Sequence, residues 1–126
     1  MPIRLTQEEF AELVDQAVAS LPEAFRPYME NVAVDIQLRP TRRLLESIKL
    51  SRRSTLLGVY QGVPLTKKSV SAPWDWPEGI LIFQRNVETV CDSREEIVEQ
   101  VRKTVLHEVG HHFGLSERDL RRLGYG

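Results

Sequence analysis

Apolar and polar positions recur along the chain with two different periods, and the changes of period divide it into elements. Phe10, Leu13, Val14, Ala17 and Val18 follow one another at alternating spacings of three and one, the stripe of an amphipathic helix. Thr6 with Glu9 three residues on predicts a capping box at its start, and Pro22 ends it. Over 31–38, NVAVDIQL, the set Val32, Val34, Ile36 and Leu38 alternates with Ala33, Asp35 and Gln37. That period of two predicts a half-buried strand. LLGVYQG, 56–62, reads as a second strand with a turn at Gly62. The unbroken apolar run of GILIFQ, 79–84, reads as a third.

Between the last two strands, GVPLTKKSVSAPWDWPEG carries three prolines and two tryptophans and predicts a long loop. Loops of that length often border binding sites, although packing of Trp74 and Trp76 over the edge of the core is the plainer expectation. From Ser93 a long helix runs to about Phe113. Ser93 is its N-cap, Glu96 stands at the capping-box position, and Glu95 sits where the helix dipole favours an acid. Val98, Val101, Val105 and Val109 form its apolar stripe, and Gly114 stops it. Ser116 opens a short last helix with Leu120 and Leu123 facing inward.

Composition narrows the class. The 126 residues, 41% hydrophobic, suit a single domain over 1–126 that buries a core without disulfides. The one cysteine, Cys91, excludes an internal disulfide framework and fits a reducing compartment. A net charge of −1 gives no support to a nucleic-acid binder. The basic stretch RPTRRLLESIKLSRR, 39–53, is therefore read as a solvated face. MPIRLTQEEF does not resemble a signal peptide, and no apolar run approaches the ~20 residues of a membrane span. The expectation is a soluble, cytoplasmic, monomeric protein with neither nucleic acid nor membrane as partner.

All three histidines of the chain fall in HEVGHHFGLSE, 107–117. His107 and His111, four apart on the predicted helix, share one face and can converge on one metal ion. Glu108 is the next residue round, placed to reach a water on that ion without ligating it. This is H-E-x-x-H, a zinc-site signature. Neutral imidazole binds Zn2+ well, the metal lowers the pKa of bound water to about 7, and a carboxylate alongside can take the proton. On the helical wheel both histidines lie away from the valine stripe, so core packing does not account for them. A third ligand is needed. Glu117, ten residues after His107 and beyond the break at Gly114, is the first choice; Asp119 is the rival, and both also suit the first turn of the last helix. His112, about 100° round from His111, is read as packing or support.

At these residues the chain resembles the small bacterial zincin-like metallopeptidases, described as minimal zincins. LLGVYQGVPLTKKSV, 56–70, and VRKTVLHEVGHHFGLSERDLRRLGY, 101–125, carry the resemblance, which extends from about Pro22 to the end. It implies an α+β fold: a small mixed sheet packed on the long metal-binding helix, with an N-terminal helix and a short C-terminal one. It implies Zn2+ at His107 and His111, Glu108 as catalytic base, and an acidic third ligand after the glycine, where family members often have Asp and this chain has Glu117. It also implies a peptide or protein substrate laid along an edge strand, 56–61 or 79–84. Tyr60, Tyr125 and the arginines of the last helix are candidate oxyanion donors. The competing reading is a zinc-binding structural, regulatory or peptide-binding module with little turnover. Fe2+, Co2+ or Ni2+ would also suit a His/His/carboxylate site.

Overall fold

The computed structural model describes residues 3–47, 56–61 and 79–123. The loop with Trp74 and Trp76, the turn at Gly62 and Tyr125 lie outside them. The chain opens with α1 (Gln7–Ala19), a 3-10 turn (Glu23–Phe25) and α2 (Arg26–Met29). The strand β1 (Ala33–Gln37) and α3 (Arg42–Ser47) follow. Then come β2 (Gly58–Gln61), β3 (Gly79–Phe83), α4 (Gln84–Thr89), α5 (Arg94–His112) and α6 (Glu117–Arg122). The sheet is mixed, in the order β1-β3-β2: β1 runs parallel to β3, and β2 antiparallel to it. This is the α+β arrangement the resemblance implied. None of the described helices is long and apolar enough to cross a membrane.

Local chemistry explains the long elements. Thr6 caps α1 through a reciprocal capping box: its hydroxyl accepts from the Glu9 N–H, and the Glu9 carboxylate accepts from the Thr6 N–H. The Phe10, Leu13, Val14 and Ala17 face is buried and packs on α5. Ser93 caps α5 by accepting from the Glu96 N–H, but the expected return bond is displaced by one residue. Glu96 Oε2 accepts from the N–H of Asp92, not of Ser93. The buried face of α5 is also wider than the valine stripe. It takes in Ile97, Thr104 and Leu106 beside Val101, Val105 and Val109, while Val98 is only half-buried.

The sheet corrects two further expectations. β1 is half-buried as its alternation predicts, but Leu38 falls beyond the last paired residue and is 40% exposed. The third strand ends at Phe83, and Gln84 starts a six-residue helix that the apolar run did not signal. β3 is buried at every position because strands flank it on both sides. Ile80 and Ile82 join the core of α1, α5 and Leu120, and alternation turns Leu81 and Phe83 to the other face. Gly79 is obligatory at the start of β3. A Cβ there would fall 2.3 Å from the Ala33 carbonyl oxygen, so the parallel pairing with β1 leaves no room for a side chain.

α4 anchors the N-terminal segment. The nearly buried Glu88 carboxylate accepts from the Leu5 N–H at 3.0 Å, from Gln84 Nε2 at 3.1 Å and from Arg85 at 2.7 Å. Gln84 Nε2 in turn donates to the Leu5 carbonyl. Glu88→Ala strands these donors and should destabilise the fold by roughly 2–3 kcal/mol in urea unfolding, with Glu88→Gln losing less. A second test uses acid. The Thr6 N–H, with Arg94 adding a hydrogen bond and charge, lowers the Glu9 pKa from 4.5 to about 2. A depressed carboxylate stabilises the fold above its unfolded pKa and stops doing so as pH falls through the folded one. The stability gap between wild type and Glu9→Gln should therefore hold at neutral pH and close between pH 4.5 and about 2.

Candidate metal centre and cleft

The C-terminal half of α5 presents opposite faces to core and solvent. Val105 and Val109 are fully buried, and so the 100° step per residue turns His107 and His111 outward. Their side chains are 32% and 53% exposed, and the rings lie 5.8 Å apart, tilted by 59°. Glu108, between the two directions, faces β2: its Oε1 accepts from the Tyr60 N–H at 3.3 Å.

The chain then reverses through a Schellman turn. Leu115 N–H bonds to the Gly110 carbonyl at 2.8 Å and Gly114 N–H to that of His111 at 3.0 Å. Gly114 adopts φ +82, the left-handed conformation that favours glycine. Ser116 and Asp119 form the capping box of α6. Asp119 Oδ2 accepts from the Ser116 N–H at 2.9 Å, and that bond, with the Ser116 hydroxyl, holds its pKa below the ordinary value. Asp119 is thus engaged in ending one turn and starting the next helix.

Glu117, at the first position of α6, turns back over α5. Its two oxygens meet the two imidazoles: Oε2 lies 3.0 Å from His107 Nε2 and Oε1 3.2 Å from His111 Nε2. The His107 hydrogen bond, with His111 contributing, lowers the Glu117 pKa, which favours the ionised form a metal ligand requires. Among the described residues no group of three or more His, Cys, Asp or Glu is already arranged to hold a metal ion. The carboxylate instead contacts the imidazoles directly. Three donors bound tetrahedrally at about 2.1 Å would stand roughly 3.4 Å apart, a few tenths of an ångström more than the separations here. The Nε2 positions that meet Glu117 are those that would bind a metal once unprotonated. In donor type the three side chains suit Zn2+, and the carboxylate stands within a few tenths of an ångström of the spacing it would take from each imidazole.

His112 points away from this trio and stacks on Tyr60, ring centroids 3.8 Å apart and 20° from parallel. The Tyr60 hydroxyl is buried, so its ring serves packing and is not presented as an oxyanion donor. Arg118, Arg121 and Arg122 are exposed. Of the two edge strands the resemblance allowed, β3 is excluded by its central place, and among the described residues β2 is the edge beside α5. Leu57 O accepts from Phe83 N–H. By the antiparallel alternation, Gly58 and Tyr60 therefore direct their peptide groups outward. A groove of about 310 Å³ lies between this edge and α5, lined by Leu57, Gly58, Lys103, Thr104, His107 and Glu108 among others. Sequence reasoning did not single out Lys103 or Thr104. The signal for Lys103 was available, four residues before His107 on the same helix face.

The turn can be tested apart from the ligands. A Cβ at Gly114 would meet nothing within 4 Å, so any penalty is conformational. Gly114→Ala should lower stability by about 1–2 kcal/mol, and Gly114→Asn by less. Equal losses in urea unfolding would show that the positive φ is not what the position requires.

No curated protein matches the chain. The family model described as zincin-like metallopeptidase matches residues 29–126, a span that takes in all three strands, the H-E-x-x-H helix and the turn that returns Glu117 to it. With that match and this architecture, the chain belongs to the zincin-like metallopeptidase family.

Proposed function

We propose that the protein is a zinc-dependent peptidase, with His107, His111 and Glu117 as metal ligands and Glu108 as catalytic base. The observation that carries this reading is the meeting of the Glu117 carboxylate with both imidazoles, next to a groove that Glu108 itself lines. Glu117 is preferred to Asp119 because the latter's carboxylate is engaged with the Ser116 N–H. When bound, zinc would acidify a water and polarise the substrate carbonyl.

The remaining work falls to the chain. β2 offers the outward peptide groups of Gly58 to an extended substrate, while its Tyr60 N–H is taken by the Glu108 carboxylate, which it fixes against α5. Glu108 accepts the proton of the attacking water and delivers it to the departing amine nitrogen. A site serving structure alone needs neither a base beside its ligands nor an open groove, which favours turnover over the structural reading.

Metal content by mass spectrometry, beside turnover of a peptide library, tests this. Wild type should carry about one zinc per chain. Glu117→Ala should lose it and Asp119→Ala keep it; the reverse pattern would make Asp119 the ligand. Glu108→Gln should keep zinc and lose about 10²–10⁴-fold in kcat. Full zinc with no cleavage by wild type would overturn the peptidase reading in favour of a binding module.

A further inference from the structure

The groove holds a cation with no partner among the described residues to account for it. Lys103 lines it and makes no ion pair among the described residues, while its neighbour Arg102 pairs with Glu99 at 3.5 Å. The groove also has a direction. A Cβ on Gly58 would touch Thr104 Cγ2, the Tyr60 N–H bonds to Glu108, and the Tyr60 ring stacks on His112. β2 therefore runs the same way as α5, its edge advancing two residues for every four of the helix. The two lengths agree, about 6.6 Å of strand against about 6 Å of helix.

An extended peptide pairing antiparallel with β2, the commoner mode, must then run against α5. With its scissile carbonyl beside His107 and Glu108, the residues that follow the cleaved bond lie over Thr104 and Lys103. Lys103 precedes His107 by four residues, about 6 Å along the axis, and helical side chains lean towards the N-terminus. At about 3.4 Å per residue, the ammonium comes level with the second residue after the scissile bond. A parallel peptide would instead bring its amino-terminal side to the same cation, a mismatch for a free terminus.

We propose that Lys103 forms a subsite for a substrate carboxylate about two residues beyond the cleaved bond on the C-terminal side, either a chain terminus or an Asp or Glu side chain. The proposal rests on the peptidase reading for the placement of the scissile bond, but its test is binding. Three N-acetylated peptides of one apolar sequence are titrated into the zinc-loaded Glu108→Gln protein. One has a free C-terminus, one is amidated, and one is amidated with Asp as its last residue.

The carboxylate peptides should bind about fivefold more tightly than the neutral amide, as expected for a partly exposed ion pair. That preference should vanish in Lys103→Met, persist in Lys103→Arg and weaken with salt. A gain limited to the free terminus would identify a main-chain carboxylate, and one limited to Asp a side chain; both support the subsite. Equal affinity for all three, or a preference that survives in Lys103→Met because the carboxylate sits on the metal, overturns it. Cleavage by wild type is read separately: a Lys103-dependent preference without cleavage would sink the peptidase reading and leave the subsite standing.

Discussion

The fixed angular step of α5 governs the rest of the site. Ile97, Val101, Val105 and Val109 are wholly buried among α1, β3 and α6, so the helix cannot rotate without exposing them, at a cost of about 1.5–3 kcal/mol for each such side chain. With that face held inward, a step of 100° leaves His107 and His111 outside and sets Glu108 between them and the core face, towards β2. The orientation of the imidazoles is thus set by valines that never touch them.

Two contacts convert that helix face into a site. One is local. The Schellman turn around Gly114 and the capping box at Ser116 reverse the chain within a few residues, and the first residue of α6 lands over the two histidines. Gly110 allows the close approach, since a Cβ there would fall 2.7 Å from Leu120 Cδ2. The other contact is remote. The edge of β2 lies along α5, with the Tyr60 N–H on Glu108 and the Tyr60 ring on His112. His112 thereby contributes to the site without facing it, holding the edge strand at the spacing that leaves a groove beside Glu108.

How much of this could be read from the chain depends on the range of each interaction. The caps at Thr6, Ser93 and Ser116, the stop at Gly114 and the burial of α1 are settled by neighbours three or four residues apart, so pattern reaches them. α4 escaped notice because Gln84 and Glu88 are buried by their bonds to Leu5, some eighty positions away in sequence. Leu38 looked like the last inward residue of its alternation, yet β1 pairs with β3 only as far as Gln37. The buried face of α5 is wider than its valine stripe for a related reason. Which flanking residues are covered depends on how much of the helix its neighbours enclose.

The sequence by itself determined the chemistry on offer: two histidines on one helical face, an acid on the adjacent face, a glycine that must turn the chain and two acids after it. These follow from covalent geometry and helical periodicity, which act over a few residues. Only the tertiary structure decided between Glu117 and Asp119 as the acid that faces the imidazoles, because Asp119 bonds to the Ser116 backbone while Glu117 is free to reach across α5. Tertiary structure likewise made β2 the edge among the described strands, gave Glu108 its partner 48 residues away and set Lys103 in the groove. Those outcomes depend on which surfaces meet once the core has closed, and a one-dimensional pattern of polarity does not specify the meeting of segments so far apart.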